Sequence, residues 1–298
     1  MTDQRRITLS TGVTLNVATA GPADAPAVIL LHGFPESHRT WRELVPDLSR
    51  DLRLVMPDQR GFGASDQPQD VADYATDRIV DDIFALADSL GIDRFALVGH
   101  DWGGAVAWAA ALKNDPRLTR LAIVNAPHPV IFQKSLIEDA DQRLASQYIT
   151  AFRTPGIVEM IQGMGWETFF EKTFGGHLDS TAIPPAERAA YVADWSRPGA
   201  MNAMLNWYRA AAIMVPAPGV TVPVPDFLLR AFPKIHVPTL VVWGMRDKAL
   251  LPLQLAGLDT LVDDLMIERI DAGHFCPWEA PAPVLAALGP FLRAAQAA

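Results

Sequence analysis

The sequence predicts an α/β protein whose mostly parallel central sheet carries helices on both faces and an inserted helical cap. Short apolar runs rich in β-branched residues alternate with longer helical patterns, an arrangement typical of a parallel sheet. This alternation stops between about Pro129 and Pro233, where helical patterns occur without convincing strands. Half of the 298 residues are hydrophobic and 20% are charged, so the chain has enough apolar side chains to bury a full core.

Five short apolar runs are expected to form buried strands, and a sixth run is strand-like. They cover residues 27–31, 54–56, 95–98, 121–124, 239–243 and 266–270. Between the second and third runs, apolar residues recur at steps of four, three and four, the spacing of one helix face. These residues are Ile79, Ile83, Leu86 and Leu90. We expect a crossover helix there, capped by Thr76 at its start and ended by Gly91.

This pattern divides the chain into three segments. We expect a first core part over residues 1–128, a helical cap over 129–233 and a second core part over 234–298. A proline-rich stretch, 215–225, is expected to be the stiff return connection from the cap to the core.

Charge and composition exclude several classes of protein. The 25 lysine and arginine residues against 34 aspartate and glutamate residues give a net charge of −9, which argues against a nucleic-acid partner. The polar N-terminus leads into a short strand-like stretch and lacks the apolar core of a signal peptide, and no apolar stretch is long enough for membrane insertion. With a single cysteine, Cys276, we expect a soluble cytoplasmic protein. The sequence leaves open whether the chain forms a homodimer.

The most informative motif follows the third strand run. Gly99, Asp101 and Gly103 have the Gly-x-nucleophile-x-Gly form of a strained strand-to-helix turn, whose central residue projects above the sheet. Because a carboxylate needs no base to be nucleophilic, Asp101 is the candidate nucleophile. The simpler interpretation is that Asp101 only caps the following helix.

An acid and a histidine follow later strands in the order that this architecture uses for a catalytic triad. Asp247 comes after the run 239–243, and His274 comes after the run 266–270. His274 is the candidate base, and Asp247 would orient its imidazole and stabilise the cation that forms. Taken separately, an aspartate or histidine in a loop is more often a turn former or a surface donor.

The turn after the first strand run supplies a candidate oxyanion hole. Its backbone donors are the N–H of Phe34 and the N–H of Trp102, the residue after the nucleophile. Pro35 allows a cis peptide bond in this turn, although the sequence does not reveal the isomer. The alternative is an ordinary strand-to-loop turn.

Together these motifs resemble the α/β-hydrolase fold over nearly the whole chain. The resemblance rests on the run 32–35 (His-Gly-Phe-Pro), the run 58–66, the elbow around Asp101, and on Asp247 and His274. Aspartate followed by tryptophan at the elbow is similar to the epoxide hydrolases and their relatives, the haloalkane dehalogenases. The resemblance implies that the aspartate attacks carbon to form an alkyl ester, which water activated by the histidine then hydrolyses.

The epoxide hydrolase branch implies further site residues. An opened epoxide is an alkoxide that needs a proton, and in this branch two cap tyrosines supply it; Tyr148 and Tyr208 stand in segments similar to those of soluble epoxide hydrolases. The resemblance also implies a small apolar epoxide and water as substrates, a vicinal diol as product, and no metal or organic cofactor. The expected substrate contacts are Phe34, Trp102, Phe152 and Trp207.

Three alternatives remain at this point. A haloalkane or haloacetate dehalogenase would use the same nucleophile, but these branches commonly carry asparagine in place of Phe34 or arginine in place of Trp102. A hydrolase of activated esters is disfavoured because a carboxylate attacking an acyl group gives a labile anhydride. A non-catalytic ligand receptor on the same scaffold would not need the nucleophile, acid and base.

Overall fold

A mixed β-sheet forms the centre of the protein in the computed structural model, which describes residues 2–294. Within these residues the strands are β1 Asp3–Thr8, β2 Thr14–Ala20, β3 Ala27–Leu31, β4 Arg53–Pro57, β5 Phe95–His100, β6 Leu118–Val124, β7 Thr239–Gly244 and β8 Leu265–Ile270. Their order across the sheet is β1-β2-β4-β3-β5-β6-β7-β8. β2 is antiparallel to both of its neighbours, whereas the other neighbouring pairs are parallel. The predicted fold class is confirmed.

All six predicted strand runs lie within observed strands, from β3 to β8. β3, β5 and β7 are buried along their whole length, because helices cover both faces of the sheet. β1 is largely exposed at the edge of the sheet and has no continuous apolar run, so the sequence indicated only a short strand-like stretch near the N-terminus.

Twelve α-helices surround the sheet within residues 2–294. They are α1 Val45–Leu48, α2 Thr76–Ser89, α3 Trp102–Leu112, α4 Pro129–Glu138, α5 Ala140–Ala145, α6 Gln147–Arg153, α7 Ile157–Met164, α8 Trp166–Phe174, α9 Pro185–Ser196, α10 Ala200–Ala210, α11 Cys276–Glu279 and α12 Pro281–Arg293. In this part of the chain, no helix combines the length and the apolar character that a bilayer crossing requires.

Helix α2 is the predicted crossover helix. The sequence predicted the end of this helix correctly but not its N-cap. The expected cap by Thr76 is wrong: Ala75 is the N-cap, and no side chain caps this end. Gly91, just past the helix, has a φ of +61°, the left-handed conformation that glycine adopts at low cost. The predicted end of the helix is therefore confirmed.

The helices from α4 to α10 lie between β6 and β7 in the chain and cover the carboxyl edge of the sheet. Two tryptophans attach them to loops at that edge. The indole N–H of Trp195 donates to the carbonyl of Pro35, which follows β3, at 2.6 Å. The indole N–H of Trp207 donates to the carbonyl of Arg60, which follows β4, at 3.0 Å. These contacts place a helical layer directly above the strand ends.

The core lies on both faces of the sheet, and successive side chains of each strand alternate between the two faces. In β3, Ile29 packs on the face covered by α2 and α3, whereas Val28 and Leu30 pack on the face covered by α12. In β5, Leu97 and Val98 alternate in the same way. This two-sided packing fixes the carboxyl ends of β3, β5, β6 and β7, from which the candidate site is built.

Candidate active site

Asp101 stands on a tight turn between β5 and α3, with a φ of +50° and a ψ of −119°. A positive φ is rare for a residue other than glycine and marks a strained position. The flanking glycines make the turn possible. A Cβ on Gly99 would overlap the carbonyl of Gly103, and a Cβ on Gly103 would overlap the carbonyl of Leu31. The sequence motif therefore forms an elbow that presents the Asp101 carboxylate above the sheet.

The two oxygens of the Asp101 carboxylate have different neighbours. Oδ1 accepts a hydrogen bond of 2.8 Å from the backbone N–H of Phe34. Oδ2 lies 3.6 Å from Nε2 of His274. Although burial raises the pKa of Asp101, the hydrogen bond and charge of His274 outweigh it, so the pKa lies below the usual value. Asp101 is thus held as a carboxylate with one oxygen bound to the backbone.

Asp247 and His274 form a closely bonded pair. Nδ1 of His274 lies 2.7 Å from Oδ2 of Asp247. The same carboxylate accepts hydrogen bonds from the Asn125 side-chain amide at 2.7 Å, from the Ala249 N–H at 2.8 Å and from the Leu250 N–H at 2.9 Å. Burial raises the pKa of Asp247, but the charge and hydrogen bond of His274 lower it further than burial raises it. Asp247 is therefore a fixed anion behind the imidazole.

The protonation of His274 depends on the two carboxylates beside it. Burial alone would lower its pKa, but the charge of Asp247 and the hydrogen bonds to Asp101 and Asp247 raise the pKa well above 6.5. With both carboxylates ionised, the imidazole is therefore a cation at neutral pH. Removing the charge of Asp101 would remove part of this stabilisation and lower the pKa.

The turn that carries Phe34 is fixed by its neighbours. The Phe34–Pro35 peptide bond is cis, the isomer that the sequence left open. Nδ1 of His32 lies 2.9 Å from the carbonyl of Gly33, and Nε2 of His32 accepts a hydrogen bond of 3.0 Å from the N–H of Gln59. Burial lowers the pKa of His32, so the ring is neutral, with its proton on Nδ1. These contacts orient the Phe34 N–H toward Asp101. The Trp102 N–H stays a prediction as the second donor.

Tyr148 of α6 and Tyr208 of α10 lie next to each other, with ring centroids 6.2 Å apart. The Tyr208 ring also packs edge-on against Phe34 and Trp102, at centroid distances of 5.1 and 5.0 Å. Burial, and after it the charge of Asp101, raises the pKa of both tyrosines well above 10. Both phenols are therefore protonated at neutral pH and can donate hydrogen bonds.

Two cavities meet at Asp101, and Tyr148 and Tyr208 line both of them. The first cavity, of about 310 Å³, is also lined by Trp102. The second cavity, of about 410 Å³, is also lined by Phe34, Phe152 and His274. The structure therefore brings three of the four expected substrate contacts to the same space as the nucleophile, the base and the two tyrosines.

Trp207, the fourth expected substrate contact, lines neither of these cavities. Its side chain is buried, its indole N–H is bonded to the Arg60 carbonyl, and its ring packs against Phe62 and Trp102. The correction has a simple physical reason: on α10, Trp207 and Tyr208 are consecutive and point in different directions. The Trp207 ring packs against Trp102 outside the two cavities, whereas Tyr208 faces them.

The chain matches a family model described as "alpha/beta hydrolase fold" over residues 26–281. The chain belongs to the α/β-hydrolase family. It is 35% identical over 241 residues to the AB hydrolase superfamily protein YfhM of Bacillus subtilis (strain 168), covering 80% of each chain. It is 33% identical to epoxide hydrolase 3 of Xenopus tropicalis, over 79% of this chain and 62% of that relative, so it spans less than two thirds of the latter's length.

Solved structures show the same relationship for this α/β hydrolase. A structure described as one of the "novel epoxide hydrolases belonging to the alpha/beta hydrolases superfamily in metagenomes from hot environments" is 44% identical. The two superpose with a TM-score of 0.89, covering 98% of this chain and 99% of the other. The predicted resemblance to the epoxide hydrolase branch of the superfamily is confirmed.

Asn125 is a site residue of this α/β hydrolase that the sequence analysis did not identify. It follows β6 directly and has a φ of +42°. Its side-chain amide donates to Asp247, and its Oδ1 accepts from the Gly244 N–H at 2.9 Å and the Cys276 thiol at 2.9 Å. Its position just beyond a buried strand, like those of Asp101 and Asp247, was the available signal. Asn125 connects the ends of β6 and β7 beneath the Asp247–His274 pair.

His100 and Glu36 form a second buried support that the sequence analysis did not identify. Nε2 of His100 lies 2.8 Å from the carbonyl oxygen of His274. Because a carbonyl oxygen can only accept, Nε2 is the donor of this hydrogen bond. Nδ1 of His100 lies 3.3 Å from Oε2 of Glu36, and both side chains are fully buried. His100, the residue before the nucleophile, therefore links the end of β5 to the loop that carries the base.

Proposed function

We propose that the protein hydrolyses an epoxide to a vicinal diol through a covalent ester on Asp101. The observation that carries the proposal is the set of groups around the cavities: one ionised carboxylate held by the backbone, two protonated phenols and a histidine–aspartate pair. The names of the relatives support epoxide hydrolysis as the reaction class. The ester mechanism is supported by the chemistry of the residues themselves.

In the first step, Oδ2 of Asp101 attacks the less hindered or more electrophilic carbon of the ring. The bond between that carbon and the epoxide oxygen breaks, and its electron pair goes to the oxygen. Tyr148 and Tyr208 donate hydrogen bonds to this oxygen as its charge develops, and one of them gives it a proton. Oδ1, already bonded to the Phe34 N–H, becomes the carbonyl oxygen of the ester.

Charge balance connects the first step to the second. Before the reaction Asp101 is an anion and His274 is a cation. Ester formation neutralises Asp101 and therefore lowers the pKa of His274. The proton that His274 releases restores the tyrosine that protonated the alkoxide, so that the ester, the imidazole and the new alcohol are all neutral. The histidine thus becomes a base at the stage when a base is needed.

In the second step, His274 takes a proton from water, and the water oxygen attacks the ester carbonyl carbon. The negative charge on the former Oδ1 is stabilised by the Phe34 N–H and, as proposed from sequence, by the Trp102 N–H; each such donor contributes roughly 10²–10³ in rate. The ester bond then breaks, and the diol leaves with a proton from His274. The Asp101 carboxyl group gives the second proton of the water to His274, which restores the carboxylate and the imidazolium of the starting state. Asp247 stabilises the imidazolium during this step.

The helical segment 129–233 acts in this proposal as a cap on a core formed by 1–128 and 234–298. It supplies both tyrosines and lines the cavities above Asp101. Because water is largely excluded from a covered site, the hydrogen bonds of the phenols are stronger there than in solvent.

The reaction class is tested by measuring two products side by side. Diol formation is followed with styrene oxide and an aliphatic epoxide, and halide release is followed with a chloroalkane and with chloroacetate. We expect diol from the epoxides and no halide above the rate of the Asp101→Asn variant. Halide release without diol formation would instead assign the protein to the dehalogenases. Stoichiometric ligand binding with neither product would indicate a receptor.

A further inference from the structure

The guanidinium of Arg153 lies at the C-terminal end of α10. The last carbonyl groups of an α-helix have no hydrogen-bond partner within the helix. Here Nε of Arg153 donates to the carbonyl of Tyr208 at 2.7 Å, Nη2 to that of Ala211 at 2.9 Å and Nη1 to that of Ile213 at 2.7 Å. One side chain therefore satisfies three carbonyls in the last turn of α10 and directly after it.

Arg153 belongs to the helix that carries the other phenol. It is the last residue of α6, five positions after Tyr148, and it bonds to the backbone of Tyr208 itself. Among residues 2–294, every hydrogen bond between α6 and residues 200–213 is donated by Arg153. Its side chain is therefore the polar connection between the two helices that present the phenols.

The contacts of Arg153 are all with backbone carbonyls in the part of the chain that the structure describes. Burial lowers the pKa of Arg153, and no carboxylate among residues 2–294 lies within ion-pair distance to raise it. A cation is favourable at the negative end of a helix dipole, and the planar fork of arginine can bond several carbonyls at once. The side chain is thus suited to hold two helices together and is not engaged in an ion pair.

Arg153 acts from outside the space that holds the reacting groups, because it lines neither cavity at Asp101. The residue before it, Phe152, packs against both phenol rings, at centroid distances of 5.0 Å from Tyr208 and 5.9 Å from Tyr148. The end of α6 therefore contacts Tyr208 twice, through an aromatic ring and through the guanidinium.

The place of α10 does not depend on Arg153 alone. The Trp207–Arg60 hydrogen bond joins α10 to the core, and the Tyr208 ring packs against Phe34 and Trp102. Tyr208 is therefore fixed relative to the nucleophile by contacts with the core.

The two ends of α6 are held by different groups. At its start, the hydroxyl of the N-cap residue Ser146 accepts a hydrogen bond of 2.9 Å from the Gln142 side-chain amide. At its end, Arg153 holds the helix to α10. Loss of the guanidinium would release only this end, so that α6 tilts and moves Tyr148 relative to Tyr208.

We propose that Arg153 is a positioning residue that places the Tyr148 hydroxyl beside that of Tyr208, so that both phenols reach the same epoxide oxygen. This inference rests on the proposed epoxide hydrolysis. Two donors stabilise one developing charge only when both are within hydrogen-bond distance of it, so a small displacement of one phenol slows ring opening. Ester hydrolysis needs His274 and Asp247 and does not use the phenols.

Arg153→Met tests the proposal, because it removes the three donors and keeps most of the apolar length of the side chain. Rapid-quench single turnovers with styrene oxide measure ester formation and ester hydrolysis separately. We expect ester formation to slow roughly tenfold and ester hydrolysis to stay within about twofold of the wild type, as for a misplaced reacting group. Arg153→Lys keeps the charge without the planar fork and should show a smaller loss in the same step.

Arg143→Met is the matched control. Arg143 of α5 also donates to three backbone carbonyls in the segment 129–233, those of Leu136, Ile137 and Val220, but it contacts neither tyrosine helix through them. Both rates should stay at the wild-type value in this variant, and thermal midpoints compare the loss of stability in the two variants. Slowing of ester formation to the same extent in Arg143→Met would mean that Arg153 acts only through the stability of this segment.

A double-mutant cycle decides whether Arg153 acts through the phenol. In a Tyr148→Phe background no hydroxyl is left to position on α6, so Arg153→Met should change ester formation by less than about twofold. The same tenfold loss in this background, or an unchanged rate in Arg153→Met alone, would overturn the positioning role while epoxide hydrolysis stands. If the wild type forms neither ester nor diol from epoxides, the proposed function itself fails.

Discussion

The backbone N–H of Phe34 donates a hydrogen bond of 2.8 Å to Oδ1 of Asp101. This contact distinguishes the two oxygens of the carboxylate before any substrate binds. Oδ1 is already at the donor that an ester carbonyl would need, whereas Oδ2 lies on the side of His274 and is the oxygen expected to attack. The site is therefore prepared for both steps of the proposed reaction by one backbone group.

His274→Gln should form the ester and fail to hydrolyse it. Ring opening needs Asp101 and the tyrosines, whereas water activation needs the imidazole base. After mixing with an epoxide, intact-protein mass spectrometry should show a gain equal to the substrate mass. Asp101→Asn is the matched control and should show no gain. Normal steady-state turnover by His274→Gln would remove the histidine from its proposed role.

Removal of either cap phenol should slow ring opening. Tyr148→Phe and Tyr208→Phe each keep the ring packing and lose only the hydroxyl, so we expect kcat/KM for an epoxide to fall roughly 10²-fold in each, within the usual range for general acid catalysis. Tyr74→Phe is the control, because the Tyr74 hydroxyl is bonded to the Pro68 carbonyl outside both cavities. Unchanged epoxide turnover in both cap variants would refute the tyrosine assignment.

Asn125→Ala should slow ester hydrolysis more than ester formation. The variant removes one donor to Asp247, the residue that orients the base, but leaves the Phe34–Asp101 contact intact. Loss of one buried hydrogen bond to a charged group corresponds to roughly ten- to hundredfold in rate. Rapid-quench measurements separate the two steps. Equal slowing of both steps, together with a lower thermal midpoint, would mean that Asn125 acts only through stability.

Asp58 should stabilise the fold in a pH-dependent way. It is buried, and although burial raises its pKa, the hydrogen bond and charge of His38 lower the value from 3.8 to about 2. Because the folded-state pKa is depressed, the stabilisation is complete above about pH 4 and is lost as the pH falls toward 2. The shift corresponds to about 2 kcal/mol at neutral pH. Urea unfolding of the wild type and Asp58→Asn should therefore differ most at pH 7, and the difference should shrink as the pH falls toward 2; a constant difference would contradict this.

Much of the fold was predictable because its local signals agree with each other. Buried parallel strands are nearly continuous apolar runs. The Asp101 elbow needs glycine at positions 99 and 103, because a Cβ at either position would overlap a backbone carbonyl, and both glycines are visible in the sequence motif. Chain order then placed Asp247 and His274 after later strands, at the edge where the structure brings their side chains together. The N-cap of α2 could not be predicted in this way. Threonine favours the N-cap position, but here the helix already begins at Thr76, and Ala75 is the N-cap without a side-chain hydrogen bond.

Contacts that depend on side-chain direction or on distant segments were not predictable. Asn125 bonds to residues more than a hundred positions away, and an asparagine after a strand is commonly a turn former. Trp207 and Tyr208 are neighbours in one motif, and only the direction of α10 decides which of them faces the cavities. That Lys172 and Lys248 line the same cavity likewise depends on how the segment between β6 and β7 lies over the loop after β7.

The covalent ester is tested most directly by a single turnover with enzyme in excess over epoxide in H₂¹⁸O. If water attacks the ester carbonyl, the label enters the Asp101 carboxylate, and the first diol formed carries only unlabelled oxygen. The peptide containing Asp101 and the diol are analysed by mass spectrometry from the same quenched sample. Label in the peptide and not in the diol is the predicted result. Label in the first diol, with an unlabelled Asp101 peptide, would mean direct attack of water on the ring and would contradict the proposed mechanism.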